Sequence, residues 1–367
     1  MAQKNEIIQV VSSIRFGGPE RYALDISRHL SAAGWKVTAF TRDAKAVDAA
    51  FREAGIRLRH APLGGYLDAS SAFLLARMMK RMAVGRGVVH VHHWRDAFTA
   101  LLARKLARRR DVRVIMTLHA AKKGRDSALA RRIYRNLDAI IFVSRYVSQR
   151  FLSSWEGRDL PMPKRLLHIL HNSLNIPAGV VPADPPARGP LIAMFHGPIA
   201  PEKGLEYLID ALPQLKPLKM RLRIMGSGDP DYVDSLRRRA QARGVMEMID
   251  WKKYSSEPLE YIRDIHIGVL PSIAEEAFGL SNTEYMAMGR PQVCTARGAQ
   301  REYLNDGVEA FIVSPGDTQG IADALRKLAS DPDLRARMGR EAAAAFSRRL
   351  AWPRFISSLL KIYALPS

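Results

Sequence analysis

Two carboxylates eight positions apart offer the clearest chemistry in this chain of 367 residues. Glu276 precedes a short apolar turn that contains glycine, and Glu284 lies in the helix-forming stretch that follows. A helix that begins near Gly279 directs free backbone N–H groups at whatever lies in front of it, which favours anions. Glu284 then lies more than one turn inside that helix. The segment therefore predicts amides for a phosphate group and two acceptors for hydroxyls, a set that suits a phosphorylated sugar. Two solvated glutamates on a surface helix are the alternative for the spacing alone.

The run from Glu276 to Pro291 resembles the Glu-x7-Glu region of the family 4 retaining glycosyltransferases of the GT-B fold. That region also carries Phe-Gly, a second Glu and Gly-Arg-Pro. The resemblance implies that Glu276 contacts the donor sugar and that Glu284 hydrogen-bonds the ribose of the nucleotide. It further implies that the turn amides hold the diphosphate and the sugar hydroxyls. This role falls on Phe278, Gly279, Leu280 and Ser281.

A second turn with glycine follows the first predicted strand. Gly17 and Gly18 lack a Cβ, so the backbone can approach a ligand closely, and Pro19 suits the start of a helix. With Glu20 the turn resembles the Gly-Gly-x-Glu loop of the same family. The resemblance implies a loop that closes over the donor diphosphate and borders the acceptor site. A strand-to-helix turn that needs glycine only for its geometry is the alternative.

The segment from His196 to Gly204 is similar to the family's Gly-Arg-x-x-x-x-Lys-Gly sequence. Lys203 is expected to neutralise charge that grows on a leaving diphosphate, the largest electrostatic need of such a transfer. The family's arginine position holds Pro198, which cannot donate a hydrogen bond. Either Lys203 serves the phosphates alone or another arginine reaches them, the candidates being Arg15, Arg145 and Arg301. A surface lysine that only caps a helix is the alternative.

Three further candidates lie at strand ends, the edge where ligands gather in open α/β sheets. The resemblance implies that His119 contacts the donor sugar, without a role as a general base. It also places Ser144 and Asn172 near the interdomain cleft. For Ser144 and Asn172 the equal alternative is a structural role, in which each residue only satisfies hydrogen bonds at a strand end.

Sequences that suggest metal binding have simpler explanations. Among the histidines of the Val-His-Val-His-His segment, His90 and His92 share one strand face and His93 points to the other, with no carboxylate or cysteine cluster nearby. Asp229 and Asp331 directly precede predicted helices, where aspartate caps backbone N–H groups. We therefore predict no metal site and no cofactor. The resemblance likewise implies a metal-independent mechanism with a nucleoside-diphosphate sugar as donor substrate.

Both halves of the chain alternate predicted strands and helices, the pattern of parallel sheets covered on both faces. Residues 176–190 contain five prolines and two glycines and are predicted to be a linker. We predict an α/β chain of GT-B architecture, with two Rossmann-like domains facing each other across an interdomain cleft. Residues 1–175 form the acceptor-binding domain and residues 191–350 the nucleotide-sugar-binding domain. The helix at 351–367 resembles the C-terminal helix of the family, which implies that it crosses back to the N-terminal domain.

The net charge of +21 is concentrated in the first half of the chain. Residues 1–183 hold 32 Lys and Arg against 13 Asp and Glu, whereas residues 184–367 hold 25 against 23. Nothing in the sequence supports nucleic-acid binding, since zinc-ligand spacing and a helix-turn-helix signature are both missing. An anionic membrane surface suits three basic, helix-prone stretches better. They span 70–86, 97–110 and 122–135. Ordinary outer helices that pack on a sheet are the alternative.

The single cysteine, Cys294, excludes an intramolecular disulfide. The start of the sequence lacks an apolar signal segment, and no uninterrupted apolar run reaches ~18 residues. We therefore expect a cytoplasmic monomer that binds peripherally to the inner membrane face.

These expectations combine into a retaining glycosyltransferase that moves a sugar from a nucleoside-diphosphate sugar to a glycan acceptor. Lipopolysaccharide or another lipid-linked or envelope polysaccharide is the expected acceptor. A GT-B sugar-nucleotide epimerase or phosphorylase is the alternative among enzymes, and a non-catalytic membrane-surface binding protein is the alternative outside them. A nicotinamide-dependent oxidoreductase is disfavoured, because Gly226-Ser227-Gly228 lacks the third glycine of the dinucleotide fingerprint.

Overall fold

The alternation of strands and helices produces two parallel sheets, as the sequence predicts. The structure, a computed structural model, describes residues 5–65, 68–176, 189–255 and 257–364. Most of the predicted linker at 176–190 lies outside the described residues. Within the described residues, no helix combines the length and the apolar content needed to cross a bilayer.

The chain divides into two compact units, one made of residues 1–172 with 353–367 and the other of residues 173–352. The segment 353–367 carries most of the helix that the sequence places at 351–367. This helix is therefore part of the first unit, although the whole second unit separates it from the rest of that unit in the chain.

The second unit begins slightly before the predicted boundary at residue 175. The Ser173 hydroxyl donates to the carbonyl oxygen of Leu350 at 2.5 Å, and Leu174 forms a parallel bridge with Ala351. These contacts attach the end of the predicted first domain to the second unit.

Seven parallel strands form the sheet of the first unit. They are β1 (Glu6–Val11), β2 (Lys36–Thr41), β3 (Arg57–His60), β4 (Gly87–Val91), β5 (Arg113–Leu118), β6 (Ala139–Phe142) and β7 (Leu167–Ile169). Their order across the sheet is β3-β2-β1-β4-β5-β6-β7. The connecting helices are α1 (Gly18–Ala32), α2 (Lys45–Glu53), α3 (Ala69–Lys80), α4 (Trp94–Ala107), α5 (Ala128–Arg135) and α6 (Arg145–Leu152). The inner strands are apolar and buried along nearly their whole length, as expected for strands covered on both faces.

Six parallel strands form the sheet of the second unit. They are β8 (Leu191–His196), β9 (Met220–Gly226), β10 (Ile249–Lys253), β11 (Ile267–Leu270), β12 (Gln292–Thr295) and β13 (Ala310–Val313). Their order is β10-β9-β8-β11-β12-β13. The helices are α7 (Leu205–Ala211), α8 (Pro230–Ala242), α9 (Pro258–Ile262), α10 (Leu280–Ala287), α11 (Thr318–Ser330), α12 (Pro332–Arg349) and α13 (Trp352–Ala364), the last continuing into the first unit.

Each sheet has one point at which the strand order reverses, between β1 and β4 in the first unit and between β8 and β11 in the second. Ligands of open α/β sheets bind beyond the carboxyl ends of the strands at such points. The segments that follow these four strands carry, in chain order, the Gly17 turn, His92, Lys203 and Glu276. The topology therefore brings most of the predicted residues to ligand-binding edges.

Both Asp-Pro-Asp sequences cap helices, which confirms that prediction. Asp229 Oδ1 accepts hydrogen bonds from the amides of Asp231 and Tyr232 at 3.1 and 3.2 Å. Asp331 Oδ1 accepts one from the amide of Leu334 at 2.8 Å. Each carboxylate thus satisfies N–H groups that the first turn of a helix leaves unpaired.

Candidate active site

Lys203 and Glu276 form an ion pair between two loops of the second unit. Lys203 Nζ lies 2.5 Å from Glu276 Oε1, and the Ser272 hydroxyl donates to the same oxygen at 2.5 Å. The Lys203 and Glu276 side chains are 18% and 13% exposed, so both groups are largely withdrawn from water. Both of these contacts go to Oε1, so within the described part of the chain Oε2 is the carboxylate oxygen available to a ligand hydroxyl.

Two glycines with positive φ allow these loops to approach each other. Gly204 follows Lys203 with φ 66°, and a Cβ at this position would lie 2.3 Å from the carbonyl oxygen of Pro271. Gly298, with φ 140°, forms a parallel bridge with Glu276, and a Cβ there would lie 2.2 Å from the Glu276 carbonyl oxygen. Any side chain at either position would separate the segments that hold Lys203 and Glu276.

Glu284 lies inside α10, and its carboxylate meets His196 at the end of β8. His196 Nε2 lies 2.5 Å from Glu284 Oε2, and both side chains are less than a tenth exposed. The Tyr285 hydroxyl donates its proton to the Met194 carbonyl oxygen at 2.7 Å, so His196 Nδ1 is the donor in its own 2.8 Å contact with that hydroxyl. The buried carboxylate of Glu284 thus has an imidazole nitrogen as its partner, as a buried charged group requires.

Tyr303 packs against the turn in front of α10 and hydrogen-bonds to its backbone. The buried Phe278 side chain packs on Tyr303, with ring centroids 4.9 Å apart. The Tyr303 hydroxyl donates to the carbonyl oxygen of Phe278 and, at 3.3 Å, to that of Gly279. The buried Phe278 side chain therefore shapes the turn.

The start of α10 has the features of an anion site. Its N-cap, Gly279, has φ 86° and carries no side chain that could cap the helix, and Leu280 is the first helical residue. The Ser281 hydroxyl donates to the His196 carbonyl oxygen at 2.9 Å, which ties the helix to the end of β8. A helix start without a side-chain cap offers its first N–H groups to an anion.

Pro198, at the position of the family arginine, is exposed. Of the three arginines considered as substitutes, Arg301 belongs to the second unit. It lies in the short 3-10 turn Ala299–Glu302, next to the Gly298 bridge, and its side chain is exposed. Arg15 and Arg145 belong to the first unit and are also exposed.

In the first unit, the Glu20 side chain hydrogen-bonds to the backbone of the Gly17-Gly18 turn. The Gly17 amide donates to Glu20 Oε2 at 2.9 Å, and Gly18 is the first residue of α1. Glu20 is buried, and its Oε1 lies 3.7 Å from His93 Nε2. The Glu20 carboxylate raises the pKa of His93 above its usual range. The turn thus places a buried acid beside a basic imidazole.

The remaining candidates of the first unit lie at strand ends. His119 follows β5, and its Nε2 lies 3.2 Å from Nδ1 of His92. Ser144 caps α6, since its hydroxyl oxygen accepts from the Val147 amide at 3.1 Å, the structural role that the sequence allowed. Asn172 is buried, and its Oδ1 has no hydrogen-bond partner among the described residues.

One group of three side chains in the described part of the chain has the spacing of a metal site. Ligand atoms of Asp43, Asp48 and His60 all lie within 4.8 Å of one another. Thr41 Oγ1 donates to Asp48 Oδ1 at 3.0 Å and lies 3.2 Å from His60 Nδ1, so these polar atoms also have partners in one another. None of the candidate residues belongs to this group.

Sequence reasoning missed the side chains that hold the two glutamates: His196, Ser272 and Tyr285. His196 carried a usable signal, because it begins the segment similar to the family's lysine loop and ends a strand. Ser272 gave none although it lies only four residues before Glu276, and Tyr285 gave none because its partners, Met194 and His196, are distant in sequence.

Two family models match the chain and together cover most of it. The model described as Glycosyltransferase Family 4 matches residues 16–172, and the model described as Glycosyl transferases group 1 matches residues 183–345. The chain therefore belongs to the family of glycosyltransferases that these two models describe, as the sequence predicted. The predicted GT-B fold is confirmed by the crystal structure of Anabaena HepE in complex with UDP and glucose. That structure has a TM-score of 0.81 and 18% identity, over 99% of this chain and 100% of HepE.

Two relatives show how far the sequence similarity extends. A D-inositol 3-phosphate glycosyltransferase of Xylanimonas cellulosilytica is 29% identical over 95% of this chain and 91% of its own length. A phosphatidyl-myo-inositol mannosyltransferase of Mycobacterium leprae is 32% identical over 167 residues, which are 44% of this chain and 43% of the relative. The chain thus matches less than half of the length of the second relative.

Proposed function

We propose that this protein transfers a sugar, with retention of anomeric configuration and without a metal ion, from a nucleoside diphosphate to a glycan acceptor. The observation that carries the proposal is the Lys203–Glu276 pair, in which the described residues engage only one carboxylate oxygen, in the same unit as the uncapped start of α10. A cation, a helix start and a hydroxyl acceptor are what a sugar diphosphate needs. HepE, which shares the fold, was solved with UDP and glucose, and this supports a nucleoside diphosphate as the leaving group.

Each group has a defined task in the proposed reaction. The diphosphate binds the first amides of α10, and Lys203 stabilises the negative charge that the leaving diphosphate gains. Glu276 Oε2 accepts from a hydroxyl of the donor sugar, and Glu284 accepts from the ribose hydroxyls. The bond from the anomeric carbon to the diphosphate oxygen breaks, the bond to the acceptor oxygen forms, and the acceptor's hydroxyl proton is released.

Glu284→Ala is expected to weaken UDP binding by about tenfold or more, because hydrogen bonds to a charged group contribute about 1.5–3 kcal/mol. The measurement is the rise in thermal midpoint that UDP produces, since a ligand bound only by the native state must stabilise it. Each variant is compared with and without UDP, so that a loss of intrinsic stability does not enter the result. Glu341→Ala, at an exposed position of α12, is the matched control. An undiminished UDP shift in Glu284→Ala contradicts the ribose role.

The rival enzyme classes are separated by their products. An epimerase converts the nucleotide sugar without an acceptor, and a phosphorylase consumes or releases a sugar phosphate. A transferase forms a glycosidic bond only when the acceptor is present. The anomeric configuration of that bond tests retention, and the same assay with excess EDTA tests metal independence.

We further propose that the acceptor is lipid-linked or an envelope polysaccharide such as lipopolysaccharide, and that the first unit binds an anionic membrane surface on the cytoplasmic side. The name of the Mycobacterium leprae relative, a phosphatidyl-myo-inositol mannosyltransferase, supports a lipid-linked acceptor. The first unit also carries most of the surplus positive charge of the chain.

The outer face of α3 is the best candidate for membrane contact. Phe73 and Leu74 are 59% and 39% exposed, and the exposed Arg77, Lys80 and Arg81 follow one and two turns later. Among the described residues, seven of the nine exposed large hydrophobic side chains belong to the first unit. An exposed face that combines apolar and basic side chains suits the interface of an anionic bilayer.

Not every residue of the predicted basic stretches is available to a membrane. The apolar side chains of Leu75 and Met79 are buried in the unit, as the alternative explanation expected. Arg109 is also engaged, because it donates to the carbonyl oxygens of Met79 and Met82 at 2.7 and 2.8 Å and pairs with Asp111. The contact surface is therefore narrower than the sequence suggested.

The triple variant Arg77→Glu, Lys80→Glu and Arg81→Glu is expected to lose binding to anionic vesicles by about two orders of magnitude or more. Each basic residue near an anionic surface contributes about 1 kcal/mol. The measurement is co-sedimentation with phosphatidylglycerol–phosphatidylethanolamine vesicles, with phosphatidylcholine vesicles for comparison.

The matched control changes the same net charge on exposed arginines of the second unit: Arg238→Glu, Arg337→Glu and Arg340→Glu. Equal losses in both triple variants would show that total charge, and not the α3 face, governs the binding.

A further inference from the structure

The helices of the first unit divide between the two faces of its sheet. The connections from β3 through β4, β5 and β6 to β7 advance in one direction across the sheet, whereas those from β1 through β2 to β3 advance in the other. Connections between parallel strands are right-handed, so α3, α4, α5 and α6 lie on one face and α1 and α2 on the opposite face. Helix α13 joins the second group, because Phe355 packs on Tyr22 of α1 with ring centroids 5.6 Å apart.

The four helices of the first group lie side by side. Arg109, just after α4, donates to the carbonyl oxygen of Met79 in α3 at 2.7 Å. The ring centroids of Trp94 in α4 and Tyr134 in α5 are 4.8 Å apart, and those of Tyr134 and Phe151 in α6 are 5.2 Å apart. These contacts join α3, α4, α5 and α6 into one layer, which we call the α3–α6 layer.

The two faces of the sheet differ sharply in charge. Within their bounds, the helices of the α3–α6 layer hold ten lysines and arginines and one acidic residue, Asp96, which is buried. Helices α1 and α2 hold four basic and four acidic residues, among them the ion pair of Arg21 and Asp25 at 3.2 Å. The exposed basic residues of the layer are Arg77, Lys80, Arg95, Lys105, Arg132, Arg135 and Arg145. The surplus charge of the first unit is thus concentrated on one face.

Exposed apolar side chains follow the same division. Among the described residues, none of the exposed large hydrophobic side chains lies in α1, α2 or α13. The layer carries four of them, 39% to 59% exposed: Phe73, Leu74, Leu106 and Leu129. A bilayer interface takes up apolar side chains beside basic ones, whereas a soluble polyanion needs only the charges. The composition of the layer therefore favours an anionic bilayer as its partner.

We propose that the α3–α6 layer as a whole lies against an anionic lipid bilayer, with α1, α2 and α13 on the side that faces away from it. The proposal rests on the membrane association proposed above and extends the contact from α3 to α4, α5 and α6. It makes Lys105, Arg132 and Arg135 contact residues, together with Leu106 and Leu129.

Charge reversal on each face of the unit tests this orientation. In co-sedimentation with phosphatidylglycerol–phosphatidylethanolamine vesicles, the full chain with Lys105→Glu, Arg132→Glu and Arg135→Glu is expected to bind about a hundredfold more weakly than wild type. The matched control reverses exposed residues of the opposite face: Lys45→Glu, Arg52→Glu and Lys361→Glu. It is expected to stay within about threefold of wild type. Equal losses in both triple variants, or full binding by the first, overturn the proposal.

A polarity-sensitive fluorophore on an introduced cysteine measures the apolar contact without any charge change. The labelled sites are Leu106→Cys and Leu129→Cys, with Ala46→Cys at an exposed position of α2 as the control. Labelling is directed to the introduced thiol because Cys294 is buried. Anionic vesicles are expected to shift the emission to the blue at both layer sites and not at residue 46. An equal shift with soluble dextran sulfate, a shift that rises with protein concentration without vesicles, or no shift at all overturns the proposal.

A transfer assay with a water-soluble acceptor and no vesicles separates this inference from the proposed function. The triple variant of Lys105, Arg132 and Arg135 is expected to keep the wild-type kcat/KM there. If the wild-type protein neither binds UDP nor transfers sugar, the proposed reaction fails while the vesicle results stand. If vesicle binding is lost in the α3 triple variant but not in this one, membrane association stands and the wider contact fails.

Discussion

Glu276→Gln is expected to lower kcat/KM for sugar transfer by about two to three orders of magnitude, the typical effect of removing one charge-stabilising group from an active site. The substitution keeps the shape of the side chain but removes the negative charge that pairs with Lys203 and that we propose binds the sugar hydroxyl. UDP affinity is expected to change little, because UDP has no sugar. The assay uses the nucleotide sugar that raises the thermal midpoint most.

The neighbouring Glu275 provides a matched control, because it is exposed and carries the same charge. Glu275→Gln changes the net charge of the chain equally and is expected to retain wild-type kinetics. Comparable losses in both variants, or full activity in Glu276→Gln, contradict the role given to Glu276.

Lys203→Met is expected to lower kcat by about two to three orders of magnitude and also to weaken UDP binding, in contrast to Glu276→Gln. In the proposed reaction the ammonium stabilises charge that develops on the leaving diphosphate, and part of this interaction would already exist with bound UDP. Single-turnover kinetics and UDP titration measure the two effects. Lys253→Met, at an exposed position of β10, is the control. A Lys203→Met protein with normal kcat and a raised KM would limit Lys203 to substrate binding.

The double variant Lys203→Met, Glu276→Gln tests whether the two residues act as a unit. Because their side chains are 2.5 Å apart, the two losses are expected to be clearly less than additive in free energy. Strict additivity would mean that the ion pair is a resting-state contact without importance for transfer.

The sequence predicted the fold class because the central strands are apolar runs. Segments such as Ile7–Val11 and Val88–Val91 are buried on both faces, and their largely apolar composition favours buried parallel strands. The edge strands β3, β7, β10 and β13 and the inner strand β12 were not predicted. β3 reads Arg-Leu-Arg-His and β10 Ile-Asp-Trp-Lys-Lys, and such charged, partly exposed strands lack the apolar pattern. Pairing with a neighbour, which no local pattern encodes, makes them strands.

The candidate site was predictable where one short segment carries it and not where distant segments meet. Glu276, Glu284 and the turn between them could be identified together from their spacing. The pairing of Glu284 with His196 and the link from Tyr363 to His90 join residues 88 and 273 positions apart. These contacts arise from strand order and from the return of α13, so only the fold reveals them.

The attachment of α13 to the first unit also bears on how the protein is made. All of residues 173–352 are synthesised between Asn172 and the part of α13 that completes the first unit. At about 5–20 residues per second this interval lasts on the order of 10 s or more. During that time the nascent first unit lacks Tyr363, which is one of the two hydrogen-bond partners given for His90, the other being Thr117. The ribosome therefore completes the sequence of the second unit before it completes the sequence of the first unit.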